Sequence, residues 1–410
     1  MTHTKARTTT TGTLTPVMML VFIAMNFANS MQAAVFGGIL DQVAQQLSIS
    51  AAETGLLTSV YAYGAGIGVP VFLIVFRRFD RTILLKSMLA ATIAATAVMV
   101  HAESYTLLVV TRFIMGLTGS CYGVLATSTI ASLSDEKKIG GALAKLIAGA
   151  ALALVVGIPL TRALSDVLHW KDIFRILMGL MGAALVYFMV TLRKGPKPAA
   201  SAGVRTELRF FRNRAVLLSL ASSMVTFIGY GAFYVYITPY LLDRIPVLEP
   251  YMSVILAVIG CCAFAGNLIG GKLCDRIGYR KALIIGSLLQ TVIAALILLT
   301  GNAGWINLIP VLLWMVMGWL IGLQINTGIN VATERKSSFM VSLNGSGIQV
   351  GQAVGASIAA QLMSGVGIRY IILVSIIASI AVFLMNSLLR EEESAVSGNN
   401  TIPENGALAE

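Results

Sequence analysis

Arg112 is the residue whose type and placement most demand chemistry: it stands in the apolar stretch VVTRFIMGLTGS. Read as a helix entered near Tyr105, the run carries it about seven residues in, or roughly 10 Å from one end at 1.5 Å per residue. A guanidinium that deep in an apolar run costs several kcal/mol unless it faces water, a partner or a ligand, which makes function its first reading and a structural ion pair the alternative. Catalytic constellations are not legible around it. His3, His101 and His169 fall at the terminus or beside loops, and no Gly-x-x-x-x-Gly-Lys stretch offers a phosphate cradle for direct ATP use. Cys121, Cys261, Cys262 and Cys274 lack metal or redox spacing and read as small packing residues, so no metal site and no cofactor are expected.

The elements that position Arg112 follow from composition. With 57% hydrophobic and 11% charged residues in 410, and a mean hydropathy of +0.84, the chain holds more apolar surface than one water-soluble core can bury. About 20 apolar residues make one helical crossing of a bilayer. Twelve such runs are present, from Pro16–Leu40 to Tyr370–Leu389, and none alternates as a membrane barrel strand would. The fold class expected is an all-α membrane protein of twelve transmembrane helices in two pseudo-symmetric six-helix bundles.

A single offset of the chain against itself supports the two bundles. It pairs Arg77 with Asp275, Gly68 with Gly266, Gly149 with Gly347, Gly157 with Gly355, and Lys171 with Arg369. The organisation expected is a tail over 1–15, a bundle over 16–192, a basic proline-bearing linker over 193–214, a second bundle over 215–389, and an acidic disordered tail over 390–410. Placing both termini in the cytoplasm puts all but six of the 29 Lys and Arg at or near that side, the exceptions being Arg112, Arg162, Lys171, Arg175, Arg244 and Arg369. The net charge of +11 is thus a record of membrane insertion and contact with anionic lipid, and nucleic-acid binding is not expected. The first run is read as a retained helix, not a cleaved signal peptide.

Two parallel six-helix halves with a basic loop between them resemble the major facilitator superfamily, over essentially the whole chain. The most specific carrier is GGKLCDRIGYRK, which is similar to the superfamily's Gly-x-x-x-Asp-Arg-x-Gly-x-Arg-Lys turn. In it Gly270 and Gly271 suit close helix approach and Gly278 a tight turn. Asp275, Arg276 and Arg280 would form a conformational latch that holds the cytoplasmic side shut in one state. The first-half copy departs from the pattern, with Arg77 in the aspartate's place and Asp80 in the glycine's. AGAALALVVGIPL resembles the helix-5 antiporter motif of the twelve-helix drug and sugar (arabinose efflux permease-like) efflux branch, through Gly149, Gly157 and Pro159. HWKDIF resembles a further element of the same relatives, with His169 and Lys171 substituted. Arg112 and Gly116 match the helix-4 Arg-x-x-x-Gly.

The resemblance implies a secondary transporter, not an enzyme: an exporter of a small organic molecule in a bacterial inner membrane, working as a monomer by alternating access. An importer or an uncoupled facilitator of the same fold is the alternative, and a non-transporting receptor or scaffold is further off. Helices 1, 4, 7 and 10 would line the cavity. That directs attention to Asn26, Asn29 and Gln32 on the first run, Tyr230, Tyr234 and Ile237 on the seventh, and Trp314, Gln324, Asn326 and Asn330 on the tenth. Asn344, Gln349 and Gln352 on the eleventh are ambiguous. Each could equally be an interhelical hydrogen bond. If protons are the coupling ion, NFANSMQAAVFGGILDQVA offers no acid before Asp41, so Asp41 paired with Arg112 is the expected coupling site and Glu53 the weaker one.

Overall fold

A computed structural model describes residues 14–76, 79–135, 138–192, 208–333 and 338–398. Arg77, most of the linker and the chain's last twelve residues lie outside them. Twelve long helices are present among the described residues: α1 Pro16–Gly38, α2 Ala51–Val75, α3 Arg81–His101, α4 Tyr105–Leu133, α5 Ile139–Leu164, α6 Trp170–Thr191, α7 Arg214–Tyr234, α8 Met252–Ile277, α9 Tyr279–Leu299, α10 Leu308–Ala332, α11 Ser338–Gly365 and α12 Ile372–Gly398. Eleven spans are apolar enough to cross a membrane on composition. The twelfth, α11, spends its length on Gly, Ser, Ala and Gln because it packs helix to helix.

Polar caps that hydropathy does not register set several boundaries. Ser50 and Glu53 form a capping box, Glu53 accepting from the Ser50 backbone N–H at 2.8 Å, so α2 begins four residues before its apolar run. Asp80, in the expected glycine position, accepts from Thr82 N–H at 2.8 Å and caps α3. The predicted acidic tail is corrected in part: residues 390–398 continue α12. The seventh run is interrupted at Val235–Tyr236, beyond which Ile237 opens a short helix ending at Arg244, so Ile237 does not continue the face of Tyr230 and Tyr234.

The duplicated features do matching work. Lys171 donates to the carbonyl of Ala102 at the end of α3 (2.9 Å), and Arg369 to that of Leu298 at the end of α9 (3.4 Å), each a cation on helix C-terminal carbonyls. Gly68 lies against Leu117 of α4, and Gly266 against Val316 of α10. A side chain at any of these glycines would collide with backbone, which is why the helices cross so closely there. Gly278, at φ +80°, is alone the turn between α8 and α9; the charged residues before it are helical.

With twelve spans both termini share a face, here the terminal face. Contacts between the halves gather towards the other, far face. Thr238 donates to the carbonyl of Gly37 at 3.0 Å, Gly55 faces the Tyr236 ring, and Gly260 of α8 meets the backbone of Leu154 and Val155 on α5. Between α2 and α11 they reach further, with Tyr63 and Ser357 hydroxyls at 3.4 Å and Gly66 against Ser346 and Val350. Towards the terminal face Thr127 and Asn326 are exposed, and Gly123 has open space before it.

Candidate functional site between the halves

Helical geometry decides which side chains face the space between the bundles. Around α7, Met224 and Ile228 meet α11, Gly229 meets Ala378 and Ser375 of α12, and the Tyr230 ring lies against Gly318 of α10. At 100° per residue this leaves half-buried Tyr234 turned towards the other half, while the Phe227 ring lies against Gly322 of α10 and packs on Tyr230 at 5.6 Å between centroids. On α10, Val316 and Leu320 face α8, and Gly318 and Gly322 face α7. The remaining side presents exposed Asn326 and half-buried Trp319, whose Cβ leans on Gly266 of α8 and whose Nε1 is buried without a hydrogen-bond partner. On α1, Ile23 and Phe27 face α5, half-buried Ser30 borders the gap, and half-buried Asn26 beside it turns its amide onto α5. The site is lined by amide and hydroxyl groups on one half and by aromatic rings on the other.

The residues expected there divide. Asn26 donates to the Leu146 carbonyl at 2.7 Å and Asn29 to that of Gly119 at 3.2 Å. Gln32 is turned away, fully buried, and donates to Thr96 Oγ1 at 2.8 Å. Tyr230 and Tyr234 stack at 4.9 Å between ring centroids, and Tyr230 stacks in turn on Trp314 at 5.6 Å. Trp314 is corrected from cavity wall to core: it is fully buried and its Nε1 donates to Ser375 Oγ on α12 at 2.9 Å. Gln324 is likewise fully buried, donating to the Gly270 carbonyl at 2.8 Å. Asn344 donates to Asn326 Oδ1 at 2.7 Å, and so ties α11 to α10. Reasoning from residue type missed Trp319 and Ser30. Their signal was spacing, since Trp319 shares a face with Asn326 seven residues on, whereas Trp314 does not.

Arg112 is fully buried behind this wall. Its Nη1 donates to the Gln32 carbonyl at 2.7 Å and its Nε to the Leu57 carbonyl at 3.2 Å. Phe36 and Tyr61 rings cover it at 4.7 and 4.6 Å from their centroids. Nη2 has no hydrogen-bond partner, and no carboxylate lies within 4.0 Å among the described residues. The expected Asp41–Arg112 pair is therefore corrected. Asp41 lies in the short far-face helix Leu40–Leu47 and pairs at 2.6 Å with Arg162 at the end of α5. The chain turns out of α1 at Ile39, which carries Asp41 to α5 and away from α4. Beside it Gln42 donates to Asp166 at 2.9 Å and holds Ser165. His169 follows on the same face, where partial burial and then the Lys171 cation hold its imidazole below the usual pKa.

The motif residues of α5 also find physical roles. Gly149 admits the Ile23 backbone of α1, and Gly157 admits Met31 and Phe27. Ala153–Gly157 is a π-helical turn ending two residues before Pro159, whose ring and missing N–H an unbroken α-helix would not accommodate. On the latch, Asp275 and Arg276 are exposed at the end of α8. Arg280 Nε donates to the Tyr279 hydroxyl at 3.0 Å. Gly270 lies against Leu320 of α10, while Gly271 touches only the end of Leu323.

The fold agrees with comparison to known proteins. The chain is 26% identical over 358 residues to an uncharacterized MFS-type transporter, YbcL of Bacillus subtilis, covering 85% of this chain and 91% of that one. It is 22% identical to a probable sugar efflux transporter of Helicobacter pylori, covering 84% and 90%. The crystal structure of nucleoside transporter NupG superposes with a TM-score of 0.69 at 12% identity, covering 90% of this chain and 99% of that one. The Major Facilitator Superfamily model matches residues 22–335. Twelve helices in two like halves and that match lead to one conclusion: the chain belongs to the Major Facilitator Superfamily and is a multi-pass membrane transporter.

Proposed function

We propose that the protein exports a small organic molecule across a bacterial inner membrane by alternating access, with both termini in the cytoplasm and the monomer as the working unit. The observation that carries this reading is the site itself, aromatic on one half and amide-lined on the other, with inter-half contacts gathered at the far face. Export is favoured by α5, where Gly149 and Gly157, the latter closing a π-helical turn, seat α1, and by the name of the sugar efflux relative. The charge asymmetry supports a cytoplasmic terminal face. The site would then collect substrate from inside the cell.

Coupling to protons is assigned to Asp41, now with Arg162 as its partner. Asp41 is a quarter exposed and Arg162 almost wholly buried, so a helix-5 movement that separates them would free the carboxylate to take a proton. A second reading, facilitated export without coupling, is favoured by one observation: none of the 18 Asp and Glu sits in the interior of a span. Counterflow and gradient-driven uptake in proteoliposomes, screened over sugars, nucleosides and amphenicol-type drugs, test both. Asp41→Asn should keep counterflow and lose gradient-driven accumulation. Wild-type accumulation indifferent to a pH gradient would remove proton coupling, and no counterflow with any compound would remove transport.

A further inference from the structure

Resting on the export reading, we propose that the site selects ring-bearing substrates that are neutral or anionic and rejects organic cations. Three observations converge on it. Half-buried Tyr234 and Trp319 supply ring surface against which a planar group packs. The opposite wall, Asn26 and Ser30, offers hydrogen bonds and no charge. Behind that wall stands Arg112, fully buried and without a carboxylate partner.

Charge is what makes this a statement about substrate class. A cationic substrate leaving water for the middle of the bundle needs an acid to replace its hydration, and no span interior carries one. It meets instead the field of a cation. Arg112 bonds to the backbone of Gln32, on the same two turns of α1 as Ser30, so it lies about one helix diameter, on the order of 10 Å, from the gap. At an effective dielectric constant of about 20, that separation favours an anion over a neutral molecule, and a neutral molecule over a cation, by on the order of tenfold in affinity at each step. Aromatic faces could hold a cation without any acid. Here the stacking of Tyr230 with Tyr234 and Trp314 turns ring faces on one another and leaves fewer for a ligand.

The test uses three probes of one ring and nearly one length: 3-phenylpropionate, 3-phenylpropionamide and 3-phenylpropylammonium. Their equilibrium binding to the purified protein in nanodiscs, corrected for protein-free nanodiscs, should fall in that order by about tenfold per step. Arg112→Gln should compress the order towards one affinity and Arg112→Lys should keep it. Because Arg112→Gln could misfold, Ser30→Asp provides a second arm, an acid in the gap that should raise cation affinity and lower that of the anion. Trp319→Leu should weaken all three probes alike. Cation binding as tight as that of the amide in the wild type would overturn the proposal, as would an order untouched by both Arg112→Gln and Ser30→Asp. Failure of all three probes to bind would overturn the ring preference. If counterflow with a sugar or nucleoside persisted in that case, the export reading would stand without it; if no compound moved, both would fall.

Discussion

Replacing Gly116 by alanine adds one methyl group where α4 crosses α2, and the structure specifies what it would strike. A Cβ there would lie inside the van der Waals envelope of the Tyr61 carbonyl oxygen, with the Tyr61 carbonyl carbon at 2.8 Å and the Ala65 nitrogen at 3.1 Å. All three are backbone atoms, so no rotamer change relieves the clash and the two helices must separate. Overpacking of this kind costs about 1–3 kcal/mol, against a gain of about 1 kcal/mol from replacing a helical glycine by alanine. The separation also draws Leu57 and Tyr61 away from Arg112, whose bond to the Leu57 carbonyl is already 3.2 Å long. Gly123, two turns on in the same helix, has nothing within 4 Å of the same built atom. Gly123→Ala should therefore keep or slightly raise the thermal midpoint of the purified protein, while Gly116→Ala lowers it by several degrees, at about 2–4 °C per kcal/mol for a unit of this size. Equal midpoints for the two variants would contradict a backbone clash at Gly116, because propensity alone would then govern both sites.

Other outcomes follow from the same geometry. Trp314→Phe loses the bond to Ser375 and buried area in the core, so it should cost about 1–3 kcal/mol of stability with bound-substrate affinity nearly unchanged; Trp319→Phe should do the reverse, and thermal melts with binding assays on both variants separate them. Asp275→Asn should insert and fold normally yet shift the balance of inward-facing and outward-facing states, read as spin-label distances between the halves; unchanged distances would take Asp275 out of the mechanism. A cysteine at Ala200 should react with an impermeant maleimide only from the cytoplasm and one at Asn302 only from outside, and the opposite pattern would invert the proposed orientation.

Fold class was legible because membrane insertion is a composition rule: long apolar runs and the placement of Lys and Arg require no tertiary information. The duplicated positions were legible too, since Lys171 and Arg369 recur at one offset and both meet the carbonyls at a helix end. The site was only half legible. Residue type pointed equally to Trp314 and Trp319, or to Gln32 and Asn26, and only the neighbours around each helix show which side chain is core and which meets the gap. The Asp41–Arg112 pairing was misjudged for a related reason. Both lie near the far face by sequence, but the break at Ile39 sends Asp41 towards α5, and a turn of that kind leaves no trace in hydropathy. α11 is the converse case: its low hydropathy reflects helix-to-helix packing, which a composition threshold discounts and the pseudo-symmetry reveals.

On the proposed alternating-access mechanism, substrate passes between two halves that must part at the far face. Gly37 and Thr238 lie on opposite halves and are joined by a hydrogen bond of 3.0 Å. A cysteine at each position, in protein whose Cys121, Cys261, Cys262 and Cys274 have been replaced, can be bridged by a short reducible thiol cross-linker. Counterflow in proteoliposomes should then fall to the level of empty vesicles, return on reduction, and be unaffected by the reagent in either single-cysteine protein. Full counterflow in protein shown to be cross-linked would contradict the claim, because substrate would be crossing without the far face opening.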